Sequence, residues 1–344
     1  MTSETTLVLA WLVLAHLVAD FLLQTDGMVS DKFSPGRRGW RGLLLHAGAV
    51  AVCLLPVVAV YGGPGLAFLA VSTVGHVLID RWKVRATRHA EAEALAEAHR
   101  RHQPTGTVEG LGPAWTPKPG ALFVADQVAH MLLLAVAWLV LLARQEPVGW
   151  FTDAADQVVR MVDAGALHSA TLIGVVLLSL VIVNVRAAAL FVATLVHPRE
   201  SVSGADLPGE PAPPPAAPPR RWRLQVGPVV ATAEPLPAGP APAGAATRAG
   251  TSNAAAPRPE GHASPARIGA TIGVLERLLI VAFVLTGSTA AIGFVVAAKT
   301  LARFRQLDDR DFAEYYLLGT LASVAVALGS GLVAAAVLST LNLG

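Results

Sequence analysis

The sequence predicts an all-α integral membrane protein of about seven transmembrane helices, with an N-terminal four-helix bundle built from a duplicated hairpin. Three observations carry this. Hydrophobic residues make up 53% of the chain and charged residues 15%, where soluble domains average about a quarter charged. The apolar residues fall in runs long enough to cross a hydrocarbon core of about 30 Å, which takes roughly 20 helical residues. Finally, AHLVAD at 15–20 returns as GHVLID at 75–80.

The runs occupy 5–25, 42–61, 63–80, 120–143, 167–196, 268–298 and 316–341. The leader MTSETT has no basic residue and no small-residue cleavage motif follows before Gln24, so the first run is expected to remain as a helix. The second contains Cys53, the only cysteine, which excludes an intrachain disulfide and reads as a small apolar residue. A GGPG turn at 62–65 joins it to the third. The stretch from Val84 to His102 lacks Gly and Pro and is rich in Ala, Glu and Arg, which predicts a solvated helix continuing from the third run. His89, His99 and His102 there read as surface histidines. These four runs, with the loop 81–119, make a first unit over 1–143.

Residues 144–197 read as an amphipathic segment and a fifth span that carries Asn184 and Arg186. Between 198 and 266 the chain changes character, with 16 of the 24 prolines in 198–265 and a single aromatic, Trp222. Such a stretch cannot bury a core and is expected to be a disordered linker, its RRWRL patch at 220–224 a solvated basic cluster. Residues 267–344 are expected to form a C-terminal transmembrane hairpin, with Glu276, Arg277, Lys299 and Arg303 as anchors at the interface.

Basic loops stay cytoplasmic. Loop 26–41 holds Lys32, Arg37, Arg38 and Arg41, and 81–119 holds seven Lys and Arg, so both are expected in the cytosol. Seven crossings would then place 299–310 outside, although it carries Lys299, Arg303, Arg305 and Arg310. Either one span is re-entrant, with 151–166 and 167–196 as candidates, or the count is off by one. A formal net charge of +2 is too small to argue for nucleic acid, and no GxGxxG, P-loop, GxSxG or HExxH motif occurs. The partner that the composition implies is the lipid bilayer.

Within the first four runs lie seven polar groups that a membrane span does not need: His16, Asp20, His46, His76, Asp80, Asp126 and His130. The charge argument places all of them within about two turns of one interface. His16 and Asp20, His76 and Asp80, and Asp126 and His130 are each four residues apart, which stacks both side chains on one helix face. A lone intramembrane charge costs several kcal/mol, so such groups pair, ligate or line water. A divalent cation resolves that cost for the whole set. Imidazole with carboxylate suits Zn²⁺ first, then Mn²⁺, Fe²⁺ or Ni²⁺, and the set is large enough for two ions or for one ion with orienting carboxylates around it. Hydrogen-bonded His and Asp pairs that pin helix packing, and a proton or ion pathway, are the other readings.

The pattern AHLVADFLLQTD, LLLHAG, GHVLIDRWK and ADQVAH, with VLERLLIVAFVLTG and AEYYLLGTLASVAVALGSG near the C-terminus, resembles a family of bacterial polytopic membrane proteins known as a domain of unknown function. The resemblance implies a multi-pass protein of the bacterial cell membrane. More loosely, helices with HxxxD and an isolated early histidine resemble the membrane-bound metal-dependent hydrolases, without that group's HR followed by a TH pair.

Together these readings favour a metal-dependent hydrolase acting on a lipid or membrane-associated substrate at the cytoplasmic leaflet. His16, His46, His76 and His130 are the ligand candidates, and Asp20, Asp80 and Asp126 divide ligation and base catalysis between them. The rival is an ion or proton-coupled transporter using the same residues. A structural or regulatory membrane protein is the third alternative.

Overall fold

The computed structural model describes residues 3–100, 115–196, 222–226, 229–233 and 265–341. A backbone in lipid must satisfy its own hydrogen bonds, and helices do so within one segment. Helix α1, Ser3–Val18, passes directly into a π-helical turn, Ala19–Leu23. The short α2, Asp26–Lys32, starts at Thr25, whose hydroxyl accepts from the Met28 amide at 3.3 Å. Helix α3, Gly36–Arg100, is two limbs, because Gly62 (φ 59°, ψ −124°) reverses the chain. His46 and His76 sit 2.8 Å apart across that reversal, where a straight helix would hold them about 45 Å apart. Residues with a side chain do not adopt this backbone without strain.

Helix α4 is Lys118–Leu141. The amphipathic α5, Gly149–Val159, buries no residue. Helix α6, Ala164–Ile182, is capped by Asp163, which accepts from the Ala166 amide at 2.7 Å, and continues through a second π-helical turn, Val183–Ala187, into α7, Ala188–Val196. Three helices follow at the C-terminal end: α8, Pro265–Leu285, α9, Thr289–Ala302, and α10, Arg310–Leu338. Among the described residues five helical stretches are long and apolar enough to cross a membrane: Thr5–Leu23, Gly36–Glu97, Lys118–Leu141, Ala164–Val196 and Phe312–Leu338. The second of these contains both limbs of α3.

The first unit is a four-helix bundle of α1, the two limbs of α3, and α4, closed around Leu12, Leu54, Phe68, Leu134 and Leu142. Cys53 packs against that core as an apolar residue does. A second core joins Leu172, Val176 and Leu180 of α6 to Ile280 and Val281 of α8 and Ala327 and Ala334 of α10. A third, with Leu17, Phe21, Ile182 and Ala187, seats α6 and the second π turn on α1.

Two expectations are corrected here. The run 268–298 is not one span, because Gly287 (φ 70°) turns the chain between α8 and α9. Residues 267–344 are therefore three helices where a hairpin was expected. The 14-residue α9 folds back along α8, bringing Lys299 within 2.5 Å of Glu276. Gly319 of α10 lies against Val192 and Val196 at the end of α7, and Trp115, before α4, donates to the Leu195 carbonyl at 2.9 Å. The 299–310 connection thus lies at the same end of the helices as Trp115 and the start of α4.

The second limb of α3 runs on to Arg100 as the solvated helix, with His89 exposed and 3.1 Å from Glu93. The His99 side chain and His102 lie outside the described residues. Within 198–266, expected as disordered, two short strands pair antiparallel, Trp222–Val226 with Val229–Ala233. Their Trp, Val and Thr content favours strand. The remainder of that segment up to 264, with Arg220 and Arg221 of the basic patch, lies outside the described residues.

One glycine sets where α2 sits. A Cβ on Gly42 would lie 2.6 Å from the Lys32 backbone nitrogen and 2.9 Å from the Asp31 carbonyl carbon, so α2 rests directly on α3. Gly42→Ala is expected to destabilise the protein by about 1–3 kcal/mol, the usual cost of overpacking against backbone, read as a lowered thermal midpoint in detergent.

Candidate metal centre

All seven polar groups picked out by spacing meet in one place. α1 supplies His16, and its π turn supplies Asp20. The first limb of α3 supplies His46, and the second supplies His76 and Asp80 one turn apart. α4 supplies Asp126 and His130. Each is buried, none more than 7% exposed. π turns are uncommon and concentrate at functional sites; here the turn sets the direction of Asp20.

At the centre is a triangle. His46 Nε2 is 2.8 Å from His76 Nε2, and Asp20 Oδ1 lies 3.3 Å from the first and 3.5 Å from the second. Asp80 Oδ2 is 3.8 Å from both imidazole nitrogens. His16 Nε2 approaches the other oxygen of Asp20 at 3.7 Å, and its ring centroid is 5.0 Å from that of His130. The His130 ring lies tilted against that of His76 with centroids 4.0 Å apart, while its Nδ1 is 3.6 Å from Asp126 Oδ1. Three overlapping triads each have ligand atoms within 4.8 Å of one another: His16, Asp20 and His76; His46, His76 and Asp80; Asp20, Asp126 and His130.

The donor set is suited to a cation. Asp20 Oδ1, Asp126 Oδ1, His46 Nδ1 and both ring nitrogens of His130 are buried without a hydrogen-bond partner, and buried polar atoms left so are costly. Zn²⁺ bonds of about 2.0–2.1 Å place tetrahedral ligand atoms about 3.3 Å apart. The three edges of the His46, His76 and Asp20 triangle bracket that value.

Two cations reach the cluster that spacing did not pick out. Lys32 Nζ donates to Asp80 Oδ2 at 2.5 Å and to Gln24 Oε1 at 2.7 Å, and Lys83 Nζ donates to Asp126 Oδ2 at 2.7 Å. Gln127 adds a bond to Asp126 at 3.0 Å and meets His16 at 3.3 Å. With neutral imidazoles, three carboxylates and two ammoniums leave the cluster at −1. A single divalent ion brings it to +1 and a second to +3, so charge balance favours one ion. Lys83 was legible, since His76, Asp80 and Lys83 follow a four-then-three spacing on one face. Lys32 was not, because it lies in a loop whose charges serve topology equally well.

Asp20 and Asp80 form the floor of a cleft of about 1020 Å³, counting the space open to solvent, that Lys32, Lys83, Phe123, Gln127 and Arg186 also line. On the opposite side of the cluster the bundle is closed by Leu12, Leu54, Phe68 and Leu134. A second buried polar group corrects the expectation for Arg277. It is 4% exposed rather than at the interface, and donates to the Asn184 carbonyl at 2.6 Å and to the Ser323 hydroxyl at 3.0 Å. Asn184 itself is fully buried and bonded to Ser330 at 3.1 Å.

No curated protein and no solved structure matches the chain. Residues 8–159, which take in most of the bundle and all seven clustered groups, match the family described as "Protein of unknown function (DUF3307)", and in that region the chain is similar to this uncharacterised family.

Proposed function

We propose that the protein is a metal-dependent hydrolase of the bacterial cell membrane, a multi-pass enzyme that acts on a lipid or membrane-associated substrate at the cytoplasmic leaflet. The supporting observation is the closed triangle of His46, His76 and Asp20. Two imidazoles and one carboxylate are a ligand set found in catalytic zinc sites, and Asp80 is the further oxygen donor beside them, 3.8 Å from both imidazole nitrogens. A bound Zn²⁺ would supply Lewis acidity and a water of lowered pKa.

The chain's own residues then divide the work. His46, His76 and Asp20 would hold the ion. Asp80 lines the cleft beside the triangle and would be the carboxylate placed to accept a proton from a water activated there. His16 orients Asp20 through its second oxygen, and Asp126, held by Lys83, stands behind His130. The cytoplasmic placement is an inference from the Lys and Arg content of 26–41, 81–119 and 299–310. A transport reading is less well supported, because apolar side chains fill the bundle beyond the cluster.

Elemental analysis of the detergent-purified protein tests this, together with hydrolysis of lipid phosphoesters. One divalent ion per chain is expected. Asp20→Asn should lose the ion, while Asp80→Asn should keep it and lose turnover. A wild-type protein free of metal after purification without chelator, and unresponsive to added Zn²⁺, would sink the reading.

A further inference from the structure

The cleft above the cluster carries one cation of a different kind. Lys32 and Lys83 each already neutralise a carboxylate. Arg186 lines the same cleft with no carboxylate partner among the described residues. It projects from the second π turn, and its Nε meets the Phe21 carbonyl, in the π turn of α1, at 3.4 Å. The residue before that carbonyl is Asp20. The guanidinium is therefore tied to the carbonyl one residue past the triangle's carboxylate, and most of its fork is left for another acceptor.

From this we infer that Arg186 binds the phosphoryl group of the substrate, so the cleft takes an anionic phosphate ester and presents it to the His and Asp cluster. The inference rests on the hydrolase reading and names its substrate class. Three observations agree with it. An unpaired arginine is suited to a phosphoryl group, because its planar donors match two phosphate oxygens at once. With the one divalent ion of the hydrolase reading bound, the cluster would carry +1, which favours an anion in the cleft. Phe21, Phe123 and Leu190 give the same cleft an apolar wall, which accommodates an acyl chain beside a charged head.

The test is binding to the full-length protein in detergent, followed by isothermal calorimetry. Dioctanoyl phosphatidic acid, dioctanoyl phosphatidylcholine and inorganic phosphate are the three probes. Phosphatidic acid is expected to bind, Arg186→Gln to weaken it about 10-fold or more, and Arg186→Lys to recover only part, since a point charge cannot replace the fork. Comparable affinity for inorganic phosphate would assign the site to a soluble phosphate ester; far weaker binding would assign it to a lipid. Equal affinity for phosphatidylcholine and phosphatidic acid, or affinity unchanged in a folded Arg186→Gln protein, overturns the inference. Metal content read on the same samples separates the two ideas. Lost metal with Arg186-dependent binding sinks the hydrolase and keeps the anion site, while kept metal with Arg186-independent binding does the reverse.

Discussion

Replacing His76 by alanine is expected to lower metal affinity at least about 100-fold, while His16→Ala lowers it by about 10–100-fold, the range for a group acting through a ligand. The difference follows from position. His76 Nε2 is a corner of the triangle, bonded at 2.8 Å to His46, and its ring lies between those of His46 and His130. His16 touches the site through the outer oxygen of Asp20 and through Gln127. Because a ligand that binds only the folded state stabilises it by mass action, chelation should also lower the thermal midpoint of the wild type. It should leave that of His76→Ala unmoved. Competition against a zinc-binding dye gives the affinities, and equal losses in the two variants would mean that the ion, if bound, sits elsewhere in the cluster.

The second large effect concerns the fully buried Asp126. Lys83→Met strips it of the ammonium at 2.7 Å and leaves Gln127 as its hydrogen-bond donor. Breaking one side of a buried ion pair costs about 3–5 kcal/mol, whereas replacing both sides with apolar groups is often neutral. Lys83→Met should therefore be strongly destabilised, and Lys83→Met with Asp126→Leu should regain most of the loss. Thermal or denaturant unfolding in detergent, completed as a double-mutant cycle, measures the coupling. Additive single effects would show that the pair is not coupled. Metal content should survive in the double variant, since Asp126 stands behind His130 and not at the triangle.

Much of the site could be read from spacing. Pairs four residues apart announced which faces turned inward, and the 60-residue offset between His16 and His76 announced the repeated hairpin. Their meeting at one centre followed from antiparallel packing, which needs little beyond the charge of the loops. Spacing failed where the helix itself changed pitch. A π turn leaves a carbonyl without its ordinary partner, and the Asn184 carbonyl so released accepts from Arg277. Nothing in the residues VNVRA declares that turn, so Arg277 looked like a surface anchor. The break at Gly287 was visible as TGS but was outvoted by the apolar residues on either side, and with it went the direction of everything that follows. Hydropathy finds apolar length; it does not find where a chain doubles back.

That doubling back has a consequence for how the polypeptide is threaded. Because α9 returns toward the level of Glu276 before α10 descends, the amino-terminal end of α8 opens on the same face as the carboxyl-terminal end of α7. The end of α7 at Val196 and the start of α8 at Pro265 thus lie on one shore of the helical body, so the sequence between them need not span it.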